Sequence, residues 1–130
     1  MNNIPQRELW IKKPFFQMIK AGVKTLEGRI GYSSMKRIKA GSTILLLTGD
    51  RNQWERNRKN FPSENVLPLK VIAARTYKNF EEALTTEKTD KLLPGYNAKN
   101  ALSLYSQIFS PDKIKKYGVI ILEFQVIGQK

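Results

Sequence analysis

Hydrophobic residues recur along the chain at two spacings, one typical of strands and the other typical of helices. Short aliphatic or alternating stretches predict strands over residues 8–11, 25–30, 43–48, 66–77 and 118–127. Apolar residues three and four positions apart predict helices over 14–22, 80–86 and 98–109, with a short turn at 90–93. The order β-α-β-β-β-α-α-β, with a strand at each end, predicts an α+β fold: a small, partly open, mixed but mostly antiparallel β-barrel with flanking helices.

Local signals support these boundaries. Pro14 suits the first turn of a helix and Gly22 suits its end. Asn79 precedes the helix over 80–86 and Glu82 follows three residues later, which is the pattern of a capping box. The helix over 98–109 carries one apolar stripe, which we expect to be core: Ala101, Leu102, Tyr105, Ile108 and Phe109.

Residues 49–65 depart from this regularity, because they are polar and basic and have no clear period. We expect a basic inter-strand loop, with at most a short helical turn. Two interpretations are open. The basic side chains could pair with the phosphates of a nucleic-acid strand lying under the loop, while the aromatic residues Trp54 and Phe61 stack on its bases. Alternatively, the loop is solvated and is held in place by one tryptophan.

The length of 130 residues is most simply one domain, spanning 1–130, and is enough to bury a core. The aliphatic runs are too short to cross a bilayer, and the first eight residues contain no apolar signal-peptide core. We therefore expect an intracellular protein, cytoplasmic or nuclear, that is neither secreted nor associated with a membrane.

The chain contains neither Cys nor His. Disulfides, thiolate nucleophiles, Ser-His-Asp triads and the usual zinc sites are therefore excluded. No metal or cofactor is expected. Any catalysis would depend on Lys, Glu, Asp, Tyr, Thr or Ser, and this narrow set of groups favours binding over chemistry.

The net charge is +12, and it is concentrated in the first half of the chain. Residues 1–60 hold 13 Lys and Arg against 4 acids, whereas residues 61–130 hold 10 against 7. A positive field attracts polyanions, and the Trp-flanked amphipathic helix of a membrane-binding protein is missing. RNA or a nucleotide is therefore the preferred partner. Outside residues 22–29, the side chains expected to contact it are Lys36, Arg37, Lys39, Arg51, Trp54, Arg56, Arg58 and Lys59.

The stretch from residue 22 to residue 29 concentrates candidate chemistry, in the pattern Gly22-x-Lys24-x-x-Glu27-x-Arg29. In an extended strand, Thr25, Glu27 and Arg29 would share one face, and Lys24 at the turn could curl toward it. Such a row could line a cleft for an anionic, polar ligand. Two plainer interpretations stay open: a solvated Glu-Arg pair on an exposed strand, or a buried pair that only stabilises the fold.

This pattern, placed after a helix and entering a strand, resembles the signature of the ASCH domain family, which belongs to the PUA-like superfamily of small β-barrels. The second half of the chain carries further similar motifs in the same order. They are Tyr77-x-x-Phe80-Glu81-Glu82-x-Leu84, Leu93-Pro94-Gly95, Tyr105 with Phe109, and Tyr117-Gly118-Val119. The resemblance extends over nearly the whole chain and is to stand-alone, single-domain members.

The resemblance implies a cleft lined by Lys24, Glu27 and Arg29, with Thr25 beside them, that holds RNA or a modified nucleoside. One bacterial branch of the family resembles a small amidohydrolase that removes the acetyl group from acetylated cytidine. That branch has threonine in place of Glu27 and uses a glutamate in its second half. No acid stands between Lys91 and Tyr105 here, so this glutamate has no obvious counterpart.

Two hypotheses follow from the residues and the resemblance together. The first is a binding module for RNA or nucleotides, in which Arg29 and Lys24 hold phosphate or a carbonyl and Glu27 accepts from a base amine or orients Arg29. The second is a hydrolase acting on acetylated cytidine, or a metal-independent ribonuclease. In that case Lys24, Thr25 and Glu27 would be the catalytic residues.

Overall fold

A computed structural model describes residues 7–128, and the strands in that range form one sheet. They are β1 (Arg7–Trp10), β2 (Leu26–Ile30), β3 (Thr43–Leu47), β4 (Val66–Tyr77) and β5 (Val119–Val126). The spatial order is β1-β3-β4-β5-β2. β1 pairs with β3 in parallel, and the other three pairs are antiparallel. A β-bulge between Val71 and Ala73 interrupts the pairing of β4 with β5.

Helices fill most of the connections between the strands. They are α1 (Lys13–Lys20), α2 (Ser33–Lys36), α3 (Arg51–Arg56), α4 (Phe80–Thr86), α5 (Thr89–Leu92), α6 (Ala98–Ile108) and α7 (Pro111–Tyr117). The Asn79 side chain accepts from the Glu82 amide at 2.8 Å, as the capping pattern predicts. Within the described residues, no helix is both long and apolar enough to cross a bilayer.

The sheet curls until its two edge strands approach each other. β1 and β2 are the edges, and Arg29 Nη2 on β2 donates to the Trp10 carbonyl of β1 at 2.8 Å. This side-chain contact bridges the gap where a closed barrel would have paired strands. We call the gap between β1 and β2 the seam. The predicted α+β fold, with a partly open and mostly antiparallel barrel, is confirmed.

Strand β5, which lies between β4 and the edge strand β2, is buried on both faces, because helices cover the sheet from both sides. Ile120, Leu122 and Phe124 pack in a cluster with Phe16 and Ile19 of α1. The alternate residues of β5 pack in a second cluster against α4, α5 and α6; they are Val119 and Ile121.

Three details differ from the sequence expectation. Residues 33–36 and 111–117 form short helices that are not among those predicted from the periodicity. The stripe on α6 is not uniformly core, since Ile108 is 51% exposed at the seam. Residues 1–6 and 129–130 lie outside the described part of the chain. Two expectations concern these residues: the absence of an N-terminal signal and the two ends of the 1–130 domain.

The segment 49–65 is more ordered than a loop. It contains α3, capped by the Asp50 side chain, and two 3-10 turns over Arg58–Asn60 and Ser63–Asn65. Trp54 and Phe61 pack on Leu47 of β3 as a third hydrophobic cluster. The segment is therefore attached to the sheet by its own aromatic side chains.

Candidate functional site

A tight turn after α1 positions the residues of the pattern Gly22-x-Lys24-x-x-Glu27-x-Arg29. Gly22 has a φ of 80°, the left-handed backbone that glycine adopts without strain. The amides of Val23 and Lys24 both donate to the Met18 carbonyl, at 3.0 and 3.1 Å. The chain therefore reverses direction within one turn before β2 begins at Leu26.

Lys24 is a buried cation surrounded by oxygen atoms. Its side chain is 0% exposed and its Nζ lies 2.9 Å from Glu27 Oε1. The same nitrogen donates to the Leu26 carbonyl at 2.7 Å and to the Leu92 carbonyl at the end of α5. An ammonium has three N–H donors, so all of them are engaged. Lys24 holds the start of β2, the end of α5 and Glu27 together.

Glu27 joins Lys24 to Arg29, and we call these three residues the seam network. Arg29 Nε donates to Glu27 Oε2 at 2.7 Å. Burial raises the pKa of Glu27, but the charges and hydrogen bonds of Lys24 and Arg29 outweigh it and hold the pKa below its ordinary value. Glu27 is therefore an ionised acceptor at neutral pH.

The guanidinium of Arg29 retains donors for a ligand. It carries five N–H groups, of which Glu27 and the Trp10 carbonyl accept from Nε and Nη2. Within residues 7–128, Nη1 has no hydrogen-bond partner. The side chain is 23% exposed, so it can be reached from the seam.

A pocket of about 230 Å³ lies along the seam, and we call it the seam pocket. Glu27, Gly28 and Arg29 form its polar floor. Its apolar walls come from α1, α6 and the segments after β1 and α5, and they include Trp10, Ile11, Phe15, Leu93, Leu104 and Phe109. An apolar cavity with a few convergent polar groups is the usual form of a small-ligand site.

Tyr105 lines this pocket and carries a buried hydroxyl without a partner within residues 7–128. The residue is 4% exposed, and its hydroxyl has no hydrogen-bond partner among the described residues. Its ring stacks on Phe80 with 4.1 Å between the ring centres. Burial, and then the charge of Glu27, raises the pKa of Tyr105, so the hydroxyl keeps its proton. A Cβ on Gly28 would lie 3.1 Å from the Phe80 ring and 3.2 Å from that hydroxyl, so a side chain there would need its neighbours to shift by a few tenths of an ångström.

Thr25 does not join the seam pocket. The expected alternation would have placed it beside Glu27, but β2 begins only at Leu26, and the Thr25 amide donates instead to the Lys91 carbonyl at 3.1 Å. Its side chain borders two other depressions, one of them shared with Arg75 and Glu87. The structure thus joins Lys24, Glu27 and Arg29 in one network, whereas Thr25 shares only a different depression with Lys24.

A basic surface continues from the seam pocket around Trp10. A shallower depression shares Trp10, Ile11 and Lys12 with the pocket and adds Lys13 and Arg51. The Arg51 guanidinium carbon lies 5.7 Å from the centre of the Trp10 ring. We call Lys12, Lys13 and Arg51 the basic track.

The other predicted basic residues are spread over the surface. Lys36, Arg37 and Lys39 are exposed on α2 and just after it. α2 lies beside the start of β1, since Arg7 Nη1 donates to the Ser34 carbonyl at 3.2 Å. This cluster therefore lies at the opposite end of the seam from Trp10.

Residues of the 49–65 segment have mixed positions. Arg56 and Lys59 are exposed. Arg58 pairs with Glu8 at 3.2 Å and lies 4.5 Å from the centre of the Trp54 ring. Trp54 is 7% exposed, and its indole nitrogen donates to Glu8 Oε2 at 3.0 Å. This corrects the expectation that Trp54 stacks on a base, because its ring is buried; the segment is held by its tryptophan.

Sequence reasoning missed Trp10, Tyr105 and the basic pair Lys12 and Lys13 as site residues. Tyr105 was assigned to the core stripe, and its hydroxyl among apolar neighbours was the signal that it could do more. Lys12 and Lys13 stand directly before Pro14, at the start of a helix with no acid in its first turn. Such a position leaves positive charge exposed near the helix N-terminus.

A second polar cluster lies on the other side of β2, across β4 and β5, and we call it the outer network. Arg75 binds both oxygens of Glu87, at 2.6 and 2.8 Å, and Glu123 at 2.9 Å. The Tyr77 hydroxyl donates to Glu87 Oε2 at 2.5 Å. The hydrogen bond from Arg75 is the main reason that the pKa of Glu87 lies below its ordinary value.

Comparisons with known proteins agree with this fold. Residues 9–128 match the family model of the ASCH domain. The crystal structure of the hypothetical protein PH0355 is 27% identical, with a TM-score of 0.73 over 95% of this chain and 100% of that one. The solution structure of PF0455 from Pyrococcus furiosus is 25% identical, with a TM-score of 0.68 over 96% and 100%. Protein EF3133 from Enterococcus faecalis is 12% identical, with a TM-score of 0.57 over 96% and 82%, and is similar in fold alone. No curated protein matches the chain.

Proposed function

The chain belongs to the ASCH domain family, and from this membership we propose that it binds RNA or a nucleotide, with one base in the seam pocket and the phosphates outside it. The main supporting observation is the unpartnered Nη1 of Arg29 at the floor of an apolar pocket. Arg29 is held rigidly by Glu27 and by the Trp10 carbonyl, so its free edge points to a fixed place.

The surface around the pocket supports an extended polyanion. The basic track adjoins the pocket through Trp10, and Lys36, Arg37 and Lys39 occupy the other end of the seam. Arg56 and Lys59 add exposed charge on the 49–65 segment. These side chains would contact phosphates without reading sequence, which gives affinity that depends on salt.

In this proposal Lys24 is a positioning residue rather than a ligand contact. Its three donors are engaged within the protein, and the most it can do for a ligand is keep Glu27 ionised and in place. The same observation gives the hydrolase alternative little support. An acylated cytidine in the seam pocket would need Lys24 and Thr25 there, whereas neither residue lines that pocket and both border a different depression.

Arg29 provides the direct test of the binding proposal. We expect Arg29→Met to weaken binding of a short single-stranded RNA by about tenfold or more, since a charged hydrogen-bond donor is lost. Lys113→Met is the matched control, because it removes one positive charge from an exposed position on α7. Fluorescence anisotropy across a salt series would measure both variants and the wild type.

Three results would contradict the proposal: no binding of RNA or mononucleotide at low salt, an affinity unaffected by salt, or equal losses in Arg29→Met and Lys113→Met. Incubation of the protein with acetylated cytidine and with labelled RNA tests the enzyme alternative in the same preparation. Turnover of either substrate by the wild-type protein would favour the hydrolase, whereas intact substrate with retained binding favours the module.

A further inference from the structure

We propose that the exposed ring of Tyr32 is a second contact site for RNA, at which an unpaired base stacks beside the lysines of α2 and α7. The inference rests on the proposed function, since it concerns where RNA bound at the seam makes a further contact. Tyr32 directly precedes α2 and contacts the last residue of α7. We call Tyr32, Tyr117, Lys36 and Lys116 the tyrosine platform.

Tyr32 is the most exposed aromatic side chain within residues 7–128. Its exposed fraction is 38%, whereas every other Phe, Tyr or Trp in that range is buried or half-buried. A single exposed apolar side chain is common on protein surfaces. Tyr32 differs from such a side chain because its ring packs on a second aromatic ring and because several cations lie close by.

Tyr117 supports the ring of Tyr32. The two ring centres are 4.8 Å apart and the ring planes are tilted by 58°. A base inserted between two rings needs about 7 Å, twice the stacking distance of about 3.4 Å, so none fits between them. Lys116 Nζ lies 5.3 Å from the centre of the Tyr117 ring, within the range of a cation–π contact. Tyr117 therefore has two neighbours on the platform, and Tyr32 is the ring with exposed surface for a base.

A close approach at Gly31 brings α2 against the end of α7. The Gly31 amide donates to the Gly118 carbonyl at 2.9 Å. A Cβ on Gly31 would lie 2.9 Å from the Tyr117 carbonyl oxygen and 3.0 Å from Lys36 Cε. The Lys36 side chain therefore packs over Gly31, and its ammonium, one bond beyond Cε, lies near the backbone of Tyr117.

The charge of these two helices is complementary to a polyanion. α2 and the three residues after it contain three exposed cations and no acid. α7 contains three exposed lysines, and its one acid, Asp112, lies in its first turn, at the opposite end of the helix from Tyr117. Cations that pair with phosphates, together with an aromatic ring that stacks on a base, are the usual means of binding single-stranded nucleic acid. A duplex keeps its base faces stacked inside the helix, so it would contact only the cations.

The platform is within reach of RNA bound at the seam. Tyr32 follows Arg29 by three residues, so their Cα atoms are no more than about 11 Å apart. Neighbouring phosphates of one stacked strand are about 3.4 Å apart, so about three nucleotides cover that distance. A short single strand that contacts Arg29 is therefore long enough to place another base on Tyr32.

The test compares a single-stranded RNA of ten nucleotides with the same strand annealed to its complement. Binding is measured by anisotropy at low salt with the full chain. Tyr32→Leu keeps an apolar side chain against Tyr117 but has no π-face, and Tyr32→Phe is the matched control because it keeps the ring. We expect Tyr32→Leu to weaken binding of the single strand about tenfold, as the loss of one stacked base predicts.

The duplex should bind Tyr32→Leu as tightly as it binds the wild type, which also checks that the variant is folded. Tyr32→Phe should bind both RNAs like the wild type. Unchanged binding of the single strand by Tyr32→Leu would overturn the stacking inference and leave RNA binding at the seam intact. Equal losses for single strand and duplex, or equal losses in Tyr32→Leu and Tyr32→Phe, would overturn it too, because neither result is that of a lost π-face. Binding of neither RNA by the wild type would overturn the proposed function together with the inference.

Discussion

The seam network and the outer network contain the same residue types but differ in how completely their polar groups are hydrogen-bonded. Each has a carboxylate held by an arginine with a tyrosine nearby: Glu27, Arg29 and Tyr105 at the seam, and Glu87, Arg75 and Tyr77 outside. In the outer network the tyrosine hydroxyl donates to the carboxylate at 2.5 Å, and the arginine donates to both carboxylate oxygens. At the seam the tyrosine hydroxyl and one edge of the arginine have no partner among the described residues.

This difference separates a structural ion-pair cluster from a candidate binding site. Buried polar groups are nearly always hydrogen-bonded, because an unsatisfied one costs about 1–3 kcal/mol. The outer network meets that rule within the protein. The seam network uses Lys24 and Arg29 to fix Glu27, and two donors without partners in residues 7–128, Nη1 of Arg29 and the Tyr105 hydroxyl, belong to residues that line a cavity. Charge alone would not have distinguished the two clusters.

The strongest test of this comparison is the removal of the buried cation from the seam. Lys24→Met leaves Glu27 and two backbone carbonyls without their main partner. We expect the free energy of unfolding to fall by about 3–5 kcal/mol, as when one partner of a buried pair is removed. Urea denaturation near neutral pH would measure it.

Lys70→Met provides the matched control, because Lys70 is exposed on β4 and its loss should change stability by less than about 0.5 kcal/mol. If Lys24→Met does not fold, the double variant with Glu27→Gln should recover folding, since no unpaired carboxylate remains. Equal, small effects of the Lys24 and Lys70 variants would mean that the seam network does not depend on its buried cation.

Removal of the charge from the outer network should have a smaller effect and should leave RNA binding unchanged. We expect Glu87→Gln to destabilise by about 1–3 kcal/mol at neutral pH. The pKa of Glu87 is lowered from 4.5 in the folded state, chiefly by its hydrogen bond from Arg75. Its ionised form therefore stabilises the fold above about pH 4.5, and this stabilisation is lost as the pH falls further, through the folded pKa.

The stability difference between wild type and Glu87→Gln should accordingly be constant down to about pH 4.5 and shrink below it. Glu27 also has a lowered pKa, but it is present in both proteins and its contribution cancels in the difference. A difference that grows on acidification would show that Glu87 is not held ionised by Arg75. Loss of RNA binding in this variant would remove the distinction between the two networks.

Local pattern predicted the five strands because each follows a period of two or an aliphatic run within its own residues. The same alternation placed Glu27 and Arg29 on one side of β2, where they bond. It failed for Thr25, since the strand begins one residue later. The burial of Lys24 depends on the Leu92 carbonyl, which lies 68 positions away in the sequence. The burial of Trp54 likewise depends on Glu8, 46 positions away.

The remaining site residues depended on the curvature of the sheet. Trp10 and Tyr105 line one pocket with Arg29 only because the edge strands β1 and β2 approach each other and α6 packs against Gly28. The spacing of hydrophobic residues along the sequence contains no information about the approach of two distant strands. The resemblance to a known family did indicate the cleft, but not that its lysine would be fully engaged inside the protein.

The test with the smallest expected effect removes one tyrosine hydroxyl from the outer network and one from the seam pocket. Tyr77→Phe removes the donor to Glu87 Oε2, so we expect a loss of about 1 kcal/mol in the free energy of unfolding. Tyr105→Phe removes a buried hydroxyl that has no partner among the described residues, so the unliganded protein should be equally stable or more stable, by up to about 1 kcal/mol. The two urea midpoints should therefore shift in opposite directions, or only that of Tyr77→Phe should fall. A fall in both would show that the Tyr105 hydroxyl already has a partner in the free protein, and the seam would then be as self-contained as the outer network.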